Sequence, residues 1–164
     1  MQVVHTPNGV FSNALSVSLF LGGPTPRDKN VPSWRPQALH VLKVLGYDDI
    51  VLVPEPETGP FPETEKQIRW EDYHLKMADI IVFWIPRDMA TLPGLTTNIE
   101  WGRWESSGKV VLGYPDEATN MKYIAHYAKH YSIPTFSYLK ETLAHAMELL
   151  EVKKALKKRS LTEC

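Results

Sequence analysis

Short apolar runs alternate five times with segments of helical period, and that alternation leaves very few architectures open. The runs are Ser16–Leu21, Ile50–Val53, Ile80–Ile85, Val110–Gly113 and Pro134–Ser137. Most are nearly continuous in Val, Ile, Leu and Phe, the pattern of strands buried on both faces. Pro36–Leu45 reads as a helix, with Leu39, Leu42, Val44 and Leu45 apolar and Gly46 as its stop. A second helix opens on Thr64-x-x-Gln67, a capping-box pattern, and runs to about Ala78. A third is predicted from Asn98 to about Ser107, ended by Gly108, and a fourth over 120–130. Tyr138 to about Lys158 carries Leu139, Leu143, Met147, Leu150 and Leu156 as a packed stripe. Gln2–His5 is compatible with an added edge strand.

Strands that alternate with helices imply a parallel sheet covered on both faces. Right-handed crossovers make the order 2-1-3-4-5 the simplest choice. The expected fold is therefore α/β: a flavodoxin-like three-layer sandwich on a five-stranded parallel sheet. A chain of 164 residues fits a single domain, 1–164. In such sheets the ligand lies beyond the C-terminal strand ends, at the switch point between the first and third strands. The loops placed there are 22–36, 86–97 and 114–120, rich in Pro, Gly, Trp and polar residues.

The net charge of -1 gives no reason to expect a nucleic-acid polymer or an anionic membrane as partner. Cys164 is the only cysteine, so no internal disulfide can form. No apolar run approaches the roughly 20 residues of a membrane span. The first residues also lack the basic-then-apolar pattern of a secretory signal, so a cytoplasmic location is expected. His126 and His130 are spaced i,i+4, but no carboxylate or cysteine nearby completes a metal set. No metal and no cofactor are expected. Neither G-x-G-x-x-G, nor a Walker A loop, nor a nucleophile elbow is present. The basic run Lys153–Arg159 reads as a solvated helix end that complements the dipole.

Glu100 is the leading chemical candidate. It follows the third strand and its Pro- and Gly-containing loop, in Thr97-Asn98-Ile99-Glu100-Trp101-Gly102. A carboxylate placed in a first helical turn is favoured in its ionised form by the dipole, by about 0.3–1 kcal/mol when exposed. An ionised carboxylate can attack a sugar anomeric carbon. Thr97-x-x-Glu100 also reads as a capping box, in which Glu100 merely bonds the Thr97 amide.

Glu71 and Asp72 offer a second carboxylate on the preceding helix, where Gln67, Glu71 and His74 share a face. Either acid can manage a leaving group's proton, or form a solvated helix face. Asp79 starts the third strand and so belongs to the wrong end of the sheet, whereas Asp88 follows it at the right end. Gly22, Gly23 and Pro24 allow a ligand close to the backbone, or form a tight turn. Arg27 and Arg35 suit a phosphate or carboxylate, and Ser33 can cap the next helix. Trp34 lies in a site loop and offers a flat stacking surface for a base.

Several segments taken together resemble the nucleoside 2-deoxyribosyltransferase family. They are Phe20–Arg27, Ser33-Trp34-Arg35, Ala78–Trp84, Thr97–Gly102 and Gly108–Pro115, in the family's order and within residues 16–125. The resemblance implies that Glu100 is the nucleophile of the -Glu-x-Gly- helix. That residue forms a covalent deoxyribosyl intermediate, which a second base captures with retention. It also implies that Glu71, or Asp72, contacts the base. Asn120 and Met121 match a segment that reaches a neighbouring subunit's site, which implies a homo-oligomer. Two positions depart from the pattern. Phe20 and Leu21 lack the hydroxyl of a first-strand tyrosine, and Asn98, with Asp88 further off, stands where an acid is common.

Three activities follow for test. The first is transfer of 2-deoxyribose between nucleobases, with a deoxynucleoside and a free base as partners. The second is hydrolysis of deoxynucleosides or nucleoside 5′-monophosphates, with Arg27 and Arg35 available to a phosphate. The third is nucleotide binding without turnover, because a fold alone does not fix a function.

Overall fold

The structure, a computed structural model, describes residues 1–9, 15–26, 28 and 30–162. Its elements are β1 (Gln2–His5), β2 (Ser18–Gly22), α1 (Arg35–Val44), β3 (Ile50–Val53), α2 (Thr64–Met77), β4 (Ile80–Trp84), α3 (Leu95–Trp104), β5 (Val110–Gly113), α4 (Lys122–His130), β6 (Thr135–Phe136) and α5 (Leu139–Thr162). The strands form one parallel sheet in the order β1-β3-β2-β4-β5-β6.

Without β1 this is the expected 2-1-3-4-5 order. The expected count of five strands is corrected to six, because Gln2–His5 pairs with Ile50–Val53 along the sheet edge. Only Val4 of that strand is buried, as suits an edge strand with one packed face.

Alternation along each strand divides the core into two layers. Leu19, Leu21, Val51, Val53, Val82, Trp84 and Val111 face Ala38 and Leu42 of α1 and Leu139, Leu143, Ala146 and Leu150 of α5. Phe20, Leu52, Ile81, Phe83, Val110 and Leu112 face Trp70 and Leu75 of α2, Trp101 of α3 and Ile124 and Ala128 of α4. The strands are apolar throughout because both sides are covered. Among the described residues, no helix is long and apolar enough to cross a membrane.

The N-terminal end of the sheet is closed by polar contacts. Asp79 accepts the Ser18 backbone N–H at 2.8 Å and pairs with Lys157 at 2.9 Å. Lys154 pairs with Asp49 at 2.6 Å. The basic run at the end of α5 is therefore more than a solvated helix end, since two of its lysines tie that helix to sheet acids.

Two helix starts differ from expectation. The N-cap of α2 is Glu63, whose side chain makes no capping bond, and Gln67 reaches elsewhere. Helix α3 begins at Leu95, three residues early, on Gly94 with φ of 62°. Glycine takes that left-handed conformation without a Cβ penalty. Thr97-x-x-Glu100 is thus no capping box, because Glu100 is the sixth helical residue and not the third.

Gly23 holds the loop after β2 against the C-terminal end of β4. Its φ is +145°, and a Cβ there would stand 2.1 Å from the Trp84 carbonyl oxygen. Gly23→Ala is expected to destabilise the protein by ~3 kcal/mol, the combined scale of backbone strain and overpacking. Urea denaturation followed by circular dichroism measures this; an unchanged midpoint would contradict the packing just described.

Candidate active site

Arg35, the first residue of α1, is the buried hub of the C-terminal sheet end, with 1% of its surface exposed. Its Nε donates to the Leu21 carbonyl at 3.1 Å and its Nη2 to the Gly23 carbonyl at 2.8 Å. Its Nη1 donates to Thr25 Oγ1 at 3.0 Å and to Glu55 Oε1 at 2.5 Å. Ser33 Oγ donates to the other Glu55 oxygen at 2.8 Å and accepts the Arg35 backbone N–H, so Ser33 does assist the start of α1. Burial lowers the Arg35 pKa and Glu55 raises it again. Arginine remains protonated in either case. With four of its five N–H groups bonded to protein, Arg35 is spent on structure, not offered to a phosphate.

Helix α2 supplies Glu71. Gln67, one turn earlier, donates Nε2 to Glu71 Oε1 at 2.7 Å and to the Pro54 carbonyl at 3.1 Å. Its own Oε1 accepts the Thr6 hydroxyl at 2.9 Å. Gln67 is therefore held on three sides and fixes one oxygen of Glu71. Burial raises the Glu71 pKa, while Gln67 and Arg35 oppose that rise. Asp72 points to the surface, where it pairs with Arg103 of α3. Glu71 is thus the α2 carboxylate with the stronger influence on Glu100.

Glu100 is half-buried on α3, and its pKa is pushed up to about 8. Burial is the main cause and the charge of Glu71 is next, with Arg35 pulling the other way. The expectation that a helix dipole holds Glu100 ionised is corrected. The residue lies beyond the first turn, where the dipole fades, and burial beside another acid dominates. The proton affinity of Glu100 therefore depends on the charge of Glu71.

A cavity of about 670 Å³ is bounded by Thr25, Ser33, Glu55, Phe61, Gly94 and Thr96. It lies where the loops after β2 and β3 meet the start of α3. Glu100 is outside the lining and follows Thr96 by one turn on the same helix face. Arg35 links the two places, because it grips Glu55 in the lining and its charge acts on Glu100 and Glu71. Phe61 is 49% exposed between two prolines and gives the cavity a flat aromatic wall.

Other expected site residues are placed differently. Trp34 is only 7% exposed, its indole N–H bonded to the Pro24 carbonyl, so it packs in the core and offers no stacking face. It immediately precedes α1, and that position turns its ring inward against the sheet. Gly22 and Gly23 approach Phe83 and Trp84, protein groups rather than open space. Asp88 is exposed and accepts bonds from Ala90 and Thr91, which shapes a surface turn. Asn98 and Asn120 both bind Arg87, away from Glu100. Met121 is 6% exposed and packs in the core beside Ile124 and Ala128. Arg27 lies outside the described residues. Among the described residues, no group of three or more His, Cys, Asp and Glu is arranged to hold a metal.

Sequence reasoning missed Glu55, Phe61 and Arg87. Phe61 carried a signal, being an aromatic flanked by prolines in the loop after a strand. Glu55 and Arg87 carried none, since each owes its position to partners far along the chain.

The parallel sheet covered by helices on both faces defines an α/β protein of the doubly wound class. A family model described as "nucleoside 2-deoxyribosyltransferase like" matches residues 16–118, and the chain belongs to that family. No curated protein matches it. Membership makes glycosyl transfer on nucleosides the coarse activity to test.

The folded-state pKa of Glu100 lies above its ordinary value of 4.5, so the folded protein binds this proton more tightly than the unfolded chain. The resulting stabilisation is complete below about pH 4.5 and is lost as pH rises through about 8. Glu100→Gln is expected to flatten this decline, and Glu71→Gln to lower the Glu100 midpoint. Denaturation between pH 5 and 9 and carboxyl-carbon NMR check both; a wild-type Glu100 midpoint near 4.5 would overturn the coupling.

Proposed function

We propose that this protein transfers 2-deoxyribose between nucleobases through a covalent intermediate on Glu100. The observation that carries this reading is the pairing of Glu71 with Glu100, whose pKa the Glu71 charge helps to raise, on a helix whose preceding turn (Thr96) walls a cavity. A retaining glycosyl transfer uses two such carboxyls, one as nucleophile and one to manage the proton of the leaving group.

With no substrate, Glu100 holds a proton near neutral pH, its pKa being raised to about 8. A nucleoside in the cavity excludes water from the pair, and the proton passes to Glu71. Ionised Glu100 then attacks C1′ as the N-glycosidic bond breaks. The base leaves with the bonding electron pair and takes the proton from Glu71. A second base attacks C1′ from the face the first one left, and the C1′–Glu100 bond breaks. Glu100 leaves as a carboxylate and Glu71 recovers a proton from the incoming base. Two inversions give net retention. Gln67 keeps Glu71 aimed throughout, and Phe61 supplies a stacking wall for the base.

Incubation with deoxyinosine and adenine, followed by chromatography, tests the proposal. The expected products are deoxyadenosine and hypoxanthine. Glu100→Ala is expected to lower the rate by ~10³-fold or more, the scale on which loss of a catalytic group acts. Release of hypoxanthine and free deoxyribose, unchanged by adenine, would instead identify a hydrolase. Exchange at the wild-type rate in Glu100→Ala would refute the assigned nucleophile.

A further inference from the structure

A second cleft, of about 410 Å³, lies between α3 and α4 on the other side of the Pro93–Leu95 segment. Arg87 is among its lining residues. This residue follows β4 and is only 5% exposed, yet no carboxylate among the described residues lies within ion-pair distance of it. Burial lowers its pKa and no acid is there to oppose the shift. Its Nη2 donates to Asn98 Oδ1 at 2.5 Å and its Nη1 to the Asn120 carbonyl at 3.3 Å. Two of five N–H groups are thereby used, and the buried Nε has no partner. Trp101, 3% exposed and also in the lining, leaves its indole N–H without an acceptor. The buried polar atoms left without a partner here are both donors, and one belongs to a group with a full positive charge. Glu105 lines the far side without pairing with Arg87.

The remaining wall is apolar and partly aromatic. Tyr123 and Tyr127 are 82% and 42% exposed, beside Met89 and Leu95. A buried guanidinium without an anion is costly, and a ligand that brings one removes the cost. We propose that this cleft is a second binding site, for a small flat organic anion whose phosphate or carboxylate meets Arg87 and whose body packs on the tyrosines. Two parallel bonds from the guanidinium fork suit either head group. The site is separate from Glu100 and does not rest on the transferase reading.

The test uses ¹H–¹⁵N NMR of the full chain, observing the Trp101 indole and Arg87 Nε–H resonances. The probes are phenyl phosphate, benzoate and the uncharged benzamide. Both resonances are expected to move saturably with the two anions and to ignore benzamide, and the stronger anion identifies the head group. Arg87→Met is expected to weaken binding at least tenfold, while Glu100→Gln leaves it intact. Should Arg87→Met fail to fold, Arg87→Lys keeps the charge, loses the fork, and is expected to bind several-fold more weakly. Equal response to benzamide, or unchanged affinity in the folded Arg87 variant, would overturn the proposal. So would silence toward all three probes in a chain that sediments as a dimer, which would assign the cleft to a second copy.

Discussion

The buried guanidinium of Arg35 is the interaction on which the C-terminal end of this sheet depends. It joins the loop after β2, through Leu21, Gly23 and Thr25, to Glu55 just after β3. Those two strands are neighbours in the sheet, but their loops have no backbone ladder to hold them apart from the cavity. A buried ion pair is a weak source of stability in itself, because desolvation offsets most of its attraction. It is a strong source of position, since losing either partner strands the other charge. Arg35 therefore fixes the cavity wall. Its charge also acts on Glu71 and Glu100, so one residue both shapes the cavity and tunes the two acids.

The two acids are held in different ways, which suits different roles. Gln67 bonds one oxygen of Glu71 and is itself bonded to Thr6 and Pro54, so Glu71 is fixed from the edge of the sheet inward. Among the described residues, the Glu100 carboxylate has no hydrogen-bond partner. A fixed carboxyl is suited to passing a proton along one direction. A carboxylate unspent on protein bonds is suited to forming a new bond to carbon. The raised pKa of Glu100 appears at first to count against a nucleophile, because a protonated acid does not attack. The same proton is the one a departing base needs, and the pair has only to move it from one member to the other.

The layer order was legible in the sequence because it follows from period alone. Apolar runs of strand length and the 3.6-residue stripe of α5 fix the sheet and its coverings without reference to distant contacts. Glu100 was legible for a different reason: the segments around it carry a family pattern, matched over 16–118. What escaped is what depends on contacts between distant residues. Trp34 and Phe61 are both aromatics in loops, and local composition cannot tell the one that turns into the core from the one that faces a cavity. Thr97 and Glu100 have capping-box spacing, but Gly94 can take a left-handed φ and starts the helix three residues earlier. Arg35 looked free for a phosphate because its four acceptors come from two separate stretches of chain, both distant from it in sequence.

Arg87 and Arg35 show how little the residue type itself decides. Both follow strands at the same end of the sheet and both are almost fully buried. Arg35 has four protein acceptors, a carboxylate among them, so its environment is complete without a ligand. Arg87 has an amide oxygen, a backbone carbonyl and no acid among the described residues. Its environment is neutral where its charge calls for an anion. The Pro93–Leu95 segment lines both cavities.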